Sequence, residues 1–215
     1  MLRYLNEGDI RYAELRRDAE DFITKYPHRD LWHKPDALMK WFSIIRAYET
    51  LVSGPGKKVV DLGSGEAPVC HYISDLGNEV VGVDIQDVNH LVKQSLVKMV
   101  LKDAWLYMDE QEDESIDVFI DSCAVTHFSD YTSGDPNGQW VKTFEGAYRT
   151  LKPGGYFIIS SDVNPSEDYG EYISPQRIIE YALASGLKVQ SEPDYSGPWI
   201  PPQAPYAVYH FVFVK

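Results

Sequence analysis

Apolar residues along this chain follow two different spacings, and the change comes near residue 54. Before it the spacing is helical. Tyr12, Leu15, Ala19, Phe22, Ile23 and Tyr26 share one face, and Pro27 stops the run. After a polar stretch with His28, Trp32 and His33, Pro35 suits the first turn of a second helix. Its stripe is Leu38, Trp41, Phe42, Ile45, Tyr48 and Val52, with Gly54 as a C-terminal cap. The two helices are expected to cap the rest of the chain. Their aromatic residues serve either as core packing or as the roof of a ligand pocket.

Beyond Ser53-Gly54-Pro55-Gly56, apolar runs of strand length take over, at 57–62, 79–84, 98–101, 116–121, 156–160, 187–189 and 206–214. Helical stretches separate most of them. Val69, Tyr72, Ile73 and Leu76 form one, closed by Gly77, and another lies around 87–97. A third carries Trp140, Phe144, Ala147 and Leu151, and a fourth runs from Ser174-Pro175 to Gly186. The acidic run 109–114 reads as a solvated loop, and Lys152-Pro153-Gly154-Gly155 as a tight turn. Strands alternating with helices predict an α/β fold whose mostly parallel sheet is covered on both faces.

Composition narrows this picture. A length of 215 residues suits a single domain over 1–215, divided into a helical cap at 1–54 and an α/β core at 55–215. The net charge of −13 argues against a long nucleic-acid backbone as partner, because phosphate binding relies on clustered Lys and Arg. No apolar run approaches the ~18–20 residues of a membrane span. The first nine residues also lack the unbroken apolar core of a signal peptide, so the expected address is cytoplasmic, with no membrane partner. Cys70 and Cys123 make neither a disulfide framework nor a zinc-ligand spacing.

The chemistry concentrates first at 57–68, where a buried strand runs through a glycine-rich turn straight into a helix. A dinucleotide turn would want a third glycine, but Gly63-Ser64-Gly65-Glu66-Ala67-Pro68 has Pro68 in that place. A phosphate-cradling Gly-Lys-Ser/Thr is missing too. Asp61 in front of the turn suits a ligand with a positively charged amino group better than a pyrophosphate. Asp84 closes the second strand 19 residues after Gly65, the loose spacing of a ribose-binding acid.

From 57 to 215 the chain resembles the class I S-adenosylmethionine-dependent methyltransferases. Asp61-Leu62-Gly63-Ser64-Gly65 matches the Asp-x-Gly-x-Gly turn of that family, Asp84 the acid after its second strand, and Asp103-Ala104 its adenine contact. The segment 117–128, with Asp121, Ser122, Cys123 and His127, resembles the motif lining the reactive end of the cofactor. Leu151-Lys152-Pro153-Gly154-Gly155 resembles a turn common before the fifth strand. The resemblance implies a Rossmann-like seven-stranded sheet with the last strand antiparallel. It also implies S-adenosyl-L-methionine as cofactor and S-adenosyl-L-homocysteine as product. The cofactor-binding residues it implies are Asp61, Gly63, Ser64, Gly65, Asp84, Ile85, Asp103, Ala104, Asp121 and Ser122.

The expected reaction is methyl transfer to a small-molecule acceptor, with a hydroxyl oxygen of natural-product or sugar type favoured. His127 is the candidate catalytic base, just past the fourth strand, against the alternative that it packs beneath the cofactor. The chain lacks the Asn-Pro-Pro-Tyr motif that relatives methylating planar amino groups often carry. N-methylation of a small molecule, or a cofactor-binding partner or sensor without turnover, are the alternatives. Cys123 reads as an apolar filler, and His71 as a solvent-exposed residue off its helix stripe. His28, His33, His90 and His210 have no metal-ligand spacing. Asp121 and Asp130 lack a third oxygen ligand, so no metal is expected. Acceptor recognition is assigned to the N-terminal helices, to 129–138, to 163–173 with Glu167, Asp168 and Glu171, and to the aromatic, proline-rich 195–206.

Overall fold

The computed structural model describes residues 9–26, 35–87, 97–128, 135–164, 172–190 and 206–215. The two N-terminal stripes become helices α1 (Ile10–Lys25) and α2 (Pro35–Leu51). The apolar runs become β1 (Lys58–Leu62), β2 (Glu79–Asp84), β3 (Lys98–Leu101), β4 (Ile116–Ser122), β5 (Leu151–Val163), β6 (Lys188–Val189) and β7 (Ala207–Val214). Between them lie α3 (Pro68–Asp75), α4 (Ala104–Asp109), α5 (Pro136–Thr150) and α6 (Pro175–Ala184). Asp135 caps α5 by accepting from the amides of Asn137 and Gly138, and Ser174 caps α6 by accepting from Arg177. Residues 88–96, within the helical stretch expected at 87–97, lie outside the described residues.

The seven strands form one sheet in the order β3-β2-β1-β4-β5-β7-β6. β3, β2, β1, β4 and β5 are parallel, and β7 runs antiparallel between β5 and β6. After β1 the chain moves outward to β2 and β3, then crosses back to lay β4 on the other side of β1. The connections leaving β1 and β4 therefore run to opposite sides of the sheet, and the C-terminal strand ends at that switch are where an α/β sheet binds its ligand.

Alternate strand residues build two cores. Val59, Val80, Val118, Ile120, Ile158, Val208 and Val212 pack with α1, α2 and α3. Val60, Leu62, Val83, Phe119, Phe157, Ile159 and Phe213 pack with α4, α5 and α6. The second core is aromatic: Phe144 stacks edge-on against Phe157 and Phe213 at 5.9 and 5.2 Å. α2 packs on β4, β5 and β7.

Three expectations change. The predicted turn at 152–155 is a bulge inside β5: Ile116 pairs with Leu151 but Val118 pairs with Tyr156. Its backbone keeps partners, since the Gly154 amide donates to the Lys215 carbonyl at 3.0 Å and the Lys215 amide donates to Gly155 at 3.1 Å. α4 had no counterpart in the sequence reading because six residues are too few to show a period, although Asp103 caps it by accepting from the amides of Trp105 and Leu106. His71 is fully buried, not exposed, because α3 packs against α2 on one side and β2 on the other, which leaves little of it facing water.

Candidate active site

The turn after β1 is tied to the end of β2. The amides of Gly63 and Ser64 both donate to the Val83 carbonyl, at 2.8 and 3.1 Å, and the Gly65 amide donates to Asp84 Oδ2 at 2.9 Å. Gly63 has φ +65°, and a Cβ there would lie 2.2 Å from Ala124 Cβ in the loop after β4. Gly65 has φ +51°, but the space where its Cβ would lie is open. One glycine lets two loops touch; the other leaves room in the crevice.

A cavity of about 240 Å³ opens along this turn. Gly63, Gly65, Asp84, Ile85, Asp103, Ala104, Ser122 and His127 all line it, as do Gln86 and Phe128. Asp84 is held between two backbone amides, Gly65 on Oδ2 and Gln86 on Oδ1 at 2.8 Å. Asp103 is held as the cap of α4. Phe128 meets Trp105 edge-on at 5.5 Å and gives the cavity an aromatic wall that the sequence reading did not single out. A second cavity of about 230 Å³ lies under α2, lined by Ala37, Lys40, Trp41, Asp61, Ser64, Glu66 and Pro68. Gly63, Gly65, Ser122 and Cys123 line both cavities and so form their common wall.

Two buried acids sit at this wall. Asp61 Oδ2 accepts from the Cys70 thiol at 3.1 Å, whereas Oδ1 is buried without a hydrogen-bond partner. Burial pushes the Asp61 carboxyl up to about 7, with the Cys70 bond pulling down and Asp121 and Asp84 adding repulsion. Asp121 Oδ1 accepts from the amides of Ala124 and Val125 at 2.7 and 3.2 Å, and Oδ2 has no partner. Burial pushes Asp121 up to about 7 as well, against the pull of those two amides. Asp121 lines neither cavity: it pins the loop that presents Ser122, Cys123 and His127. Asp61, a buried acid with an unpartnered oxygen on the wall of the second cavity, suits a cationic ligand. A sulfonium that also carries an amino group fits that need.

At the common wall the chain gathers residues from distant elements. Cys123 has φ +64°, a left-handed conformation rare outside glycine, and lies next to Asp162 at the end of β5. Burial pushes the Cys123 thiol up to about 12, with Lys40 pulling down and Asp162 adding to the rise, so it is a neutral thiol at pH 7. The ligand-type atoms of Cys123, His127 and Asp162 all lie within 4.8 Å of one another. The cation held against this trio is Lys40 of α2, whose Nζ is 2.7 Å from Asp162 Oδ1. Burial works to lower the Lys40 pKa, but the negative charge of Cys123, when ionised, and of Asp162 raises it above the ordinary lysine range. Lys40 was missed because it interrupts the apolar run Leu38-Met39-Lys40-Trp41 with no visible partner. Asp130, Glu167, Asp168, Glu171 and residues 195–205 lie outside the described residues, as do His28, His33 and His90. His210 is buried in β7, and burial pushes its imidazole down to about 4.

Sheet order, glycine turn and acid-lined crevice define an α/β protein that binds a nucleoside-bearing cation. Residues 53–192 match the model of a family described as a methyltransferase domain, and the chain belongs to that family. S-adenosylmethionine is its cofactor. No curated protein gives a significant match to the sequence. Among solved structures, 1060 chains match, so the fold alone does not choose a reaction. One is the 1,6-didemethyltoxoflavin-N1-methyltransferase of Burkholderia thailandensis, with its acceptor and S-adenosylhomocysteine bound. It is 18% identical with a TM-score of 0.65, covering 95% of this chain and 88% of that one. A TehB-like methyltransferase from Corynebacterium glutamicum is 17% identical with a TM-score of 0.59, covering 93% and 98%. The cyclopropane synthase MmaA2 from Mycobacterium tuberculosis is 14% identical with a TM-score of 0.60, covering 80% and 82%. No described helix is long and apolar enough to cross a membrane.

Proposed function

We propose that this chain methylates a hydroxyl oxygen of a small molecule in the cytoplasm, with His127 as the base. The observation that carries this reading is that His127 lines the same cavity as Asp84 and Asp103, beside the wall shared with the cavity under α2. In this reading Gly63, Ser64, Gly65 and the unpartnered Asp61 oxygen hold the methionine part of the cofactor. Asp84 and Ile85 hold the ribose, and Asp103 and Ala104 face the adenine. Ser122 borders the reactive end, and Asp121 acts from below by fixing its loop. S-adenosylmethionine brings an electrophilic methyl group, so the chain itself has to orient the acceptor, exclude water and take up a proton. Histidine suits the last task near neutral pH. A net charge of −13 supports a small molecule over a nucleic acid as partner.

The likeness to a structure named as an N1-methyltransferase favours a second reading, N-methylation of a small molecule. Calorimetric titration with S-adenosylhomocysteine, followed by fragment-ion analysis of the methylated product, tests both. Tight binding with the methyl on oxygen is expected, and Asp84→Ala should weaken the cofactor by about 1–3 kcal/mol. A folded protein that binds neither cofactor nor product removes both readings, and a methyl on nitrogen selects the second.

A further inference from the structure

Six side chains from six places in the sequence close into a ring beside the shared wall. Lys40 of α2 pairs with Asp162 at 2.7 Å, and its ammonium lies 5.7 Å from the ring centre of Tyr206, just before β7. Tyr206 stacks on Tyr172, with centroids 5.4 Å apart and planes 23° from parallel. Tyr172 meets His127 edge-on at 6.2 Å and 86°. His127 and Cys123 return to Asp162, all three within 4.8 Å. From this arrangement, and resting on the hydroxyl reading above, we infer that the ring is the acceptor subsite and that it takes a neutral, planar conjugated ring bearing an acidic hydroxyl, of phenol or enol type.

The charges favour a neutral acceptor. Asp162 cancels Lys40, and the Cys123 thiol is uncharged at neutral pH, so the ring offers no excess charge for a carboxylate or an ammonium group. Once the acceptor loses its proton the balance changes. An ammonium has three N–H donors, and Lys40 meets Asp162 Oδ1 as an ion pair at 2.7 Å, so it keeps donors for an oxygen that becomes negative. The O–H proton passes to a nitrogen of His127, and the electron pair stays on the acceptor oxygen facing Lys40. An imidazole is matched to hydroxyls that ionise within a few units of neutrality and poorly matched to an alkyl alcohol. Two stacked tyrosines add flat apolar surface, which favours a conjugated ring over a sugar.

The test uses the full chain saturated with S-adenosylhomocysteine and 4-nitrophenol as probe, whose ionised form absorbs visible light. The wild-type protein should bind the probe and raise its ratio of ionised to neutral form about tenfold over solution at the same pH, a 1.4 kcal/mol effect. Excess methyl α-glucoside, an alkyl alcohol of similar size, should not displace it. Lys40→Met should abolish the ionisation shift of the bound probe. Because Lys40→Met leaves Asp162 buried and unpaired, Tyr206→Leu gives a second variant, expected to weaken the probe at least fivefold. The inference is overturned if the probe does not bind, if it binds with its ionisation unchanged or suppressed, or if the glucoside displaces it. With S-adenosylhomocysteine bound, those results leave the hydroxyl reading standing for an alkyl acceptor. If the cofactor product itself fails to bind, both readings fall together.

Discussion

The cofactor end of the crevice is assembled from neighbours, whereas the acceptor end is assembled from strangers. At the first, 61–65 and 84–86 lie on adjacent parallel strands, and they lock through backbone amides, to the Val83 carbonyl and the Asp84 carboxylate. At the second, Lys40, Cys123, Asp162, Tyr172 and Tyr206 meet only because α2 lies across β5 and β7. Backbone geometry built the one, so few residue types are tolerated there. Side-chain contacts built the other, so it can change acceptor without disturbing the fold.

The largest expected effect breaks the backbone end. Gly63→Ala adds a Cβ 2.2 Å from Ala124 Cβ and forces a side chain into positive φ. Overpacking of ~1–3 kcal/mol and a left-handed cost of ~1–2 kcal/mol add to a destabilisation of several kcal/mol. Gly65→Ala meets nothing within 4 Å, so only the second cost applies to folding. Urea denaturation of both variants checks this. Equal midpoints would mean that the loops after β1 and β4 do not depend on their contact at Gly63.

The same contrast explains what could be read from the sequence. β2 falls where its apolar run lies, because a strand buried on both faces leaves an unbroken signature. Asp61, Gly63, Gly65 and Asp84 were readable because a tight turn needs certain residue types at fixed spacing. The ring around Asp162 was not. Lys40 is a lone cation in an apolar helix stripe, and its partner lies at the end of the fifth strand. Cys123 looked like filler because nothing in a sequence shows a positive φ at a non-glycine residue. His71 and the bulge at 152–155 failed for a related reason, since both depend on what the tertiary fold lays beside them.

At the side-chain end, His127→Ala should lower turnover by about 10²-fold or more while cofactor affinity holds, as expected for loss of a general base. Single-turnover kinetics with calorimetry in parallel separates the two quantities. Turnover that is unchanged while methyl transfer limits the rate would return His127 to a packing role. A loss of cofactor affinity equal to the loss in turnover would move it to the cofactor end, and the division between the two ends would need redrawing.

At the second cavity pH acts on Asp61, and on Asp121 in the sheet beside it. Both carboxyls are raised to about 7, against ~4 in an unfolded chain, so the unliganded fold keeps their contribution below pH ~4 and loses it as pH rises through 7. The loss is at most about 1.4 kcal/mol per pH unit for each group. A cationic ligand against Asp61 reverses the preference by stabilising that carboxylate, so its binding must release protons near pH 7, and its affinity must rise until Asp61 is ionised in the free protein. Calorimetry of S-adenosylmethionine at pH 7 in phosphate and in Tris reads the released protons directly. Thermal midpoints from pH 5 to 8 should fall more steeply without the ligand than with it. Binding enthalpies independent of the buffer would mean that the cation does not sit against Asp61, and the cofactor end would then rest on the glycine turn and Asp84 alone.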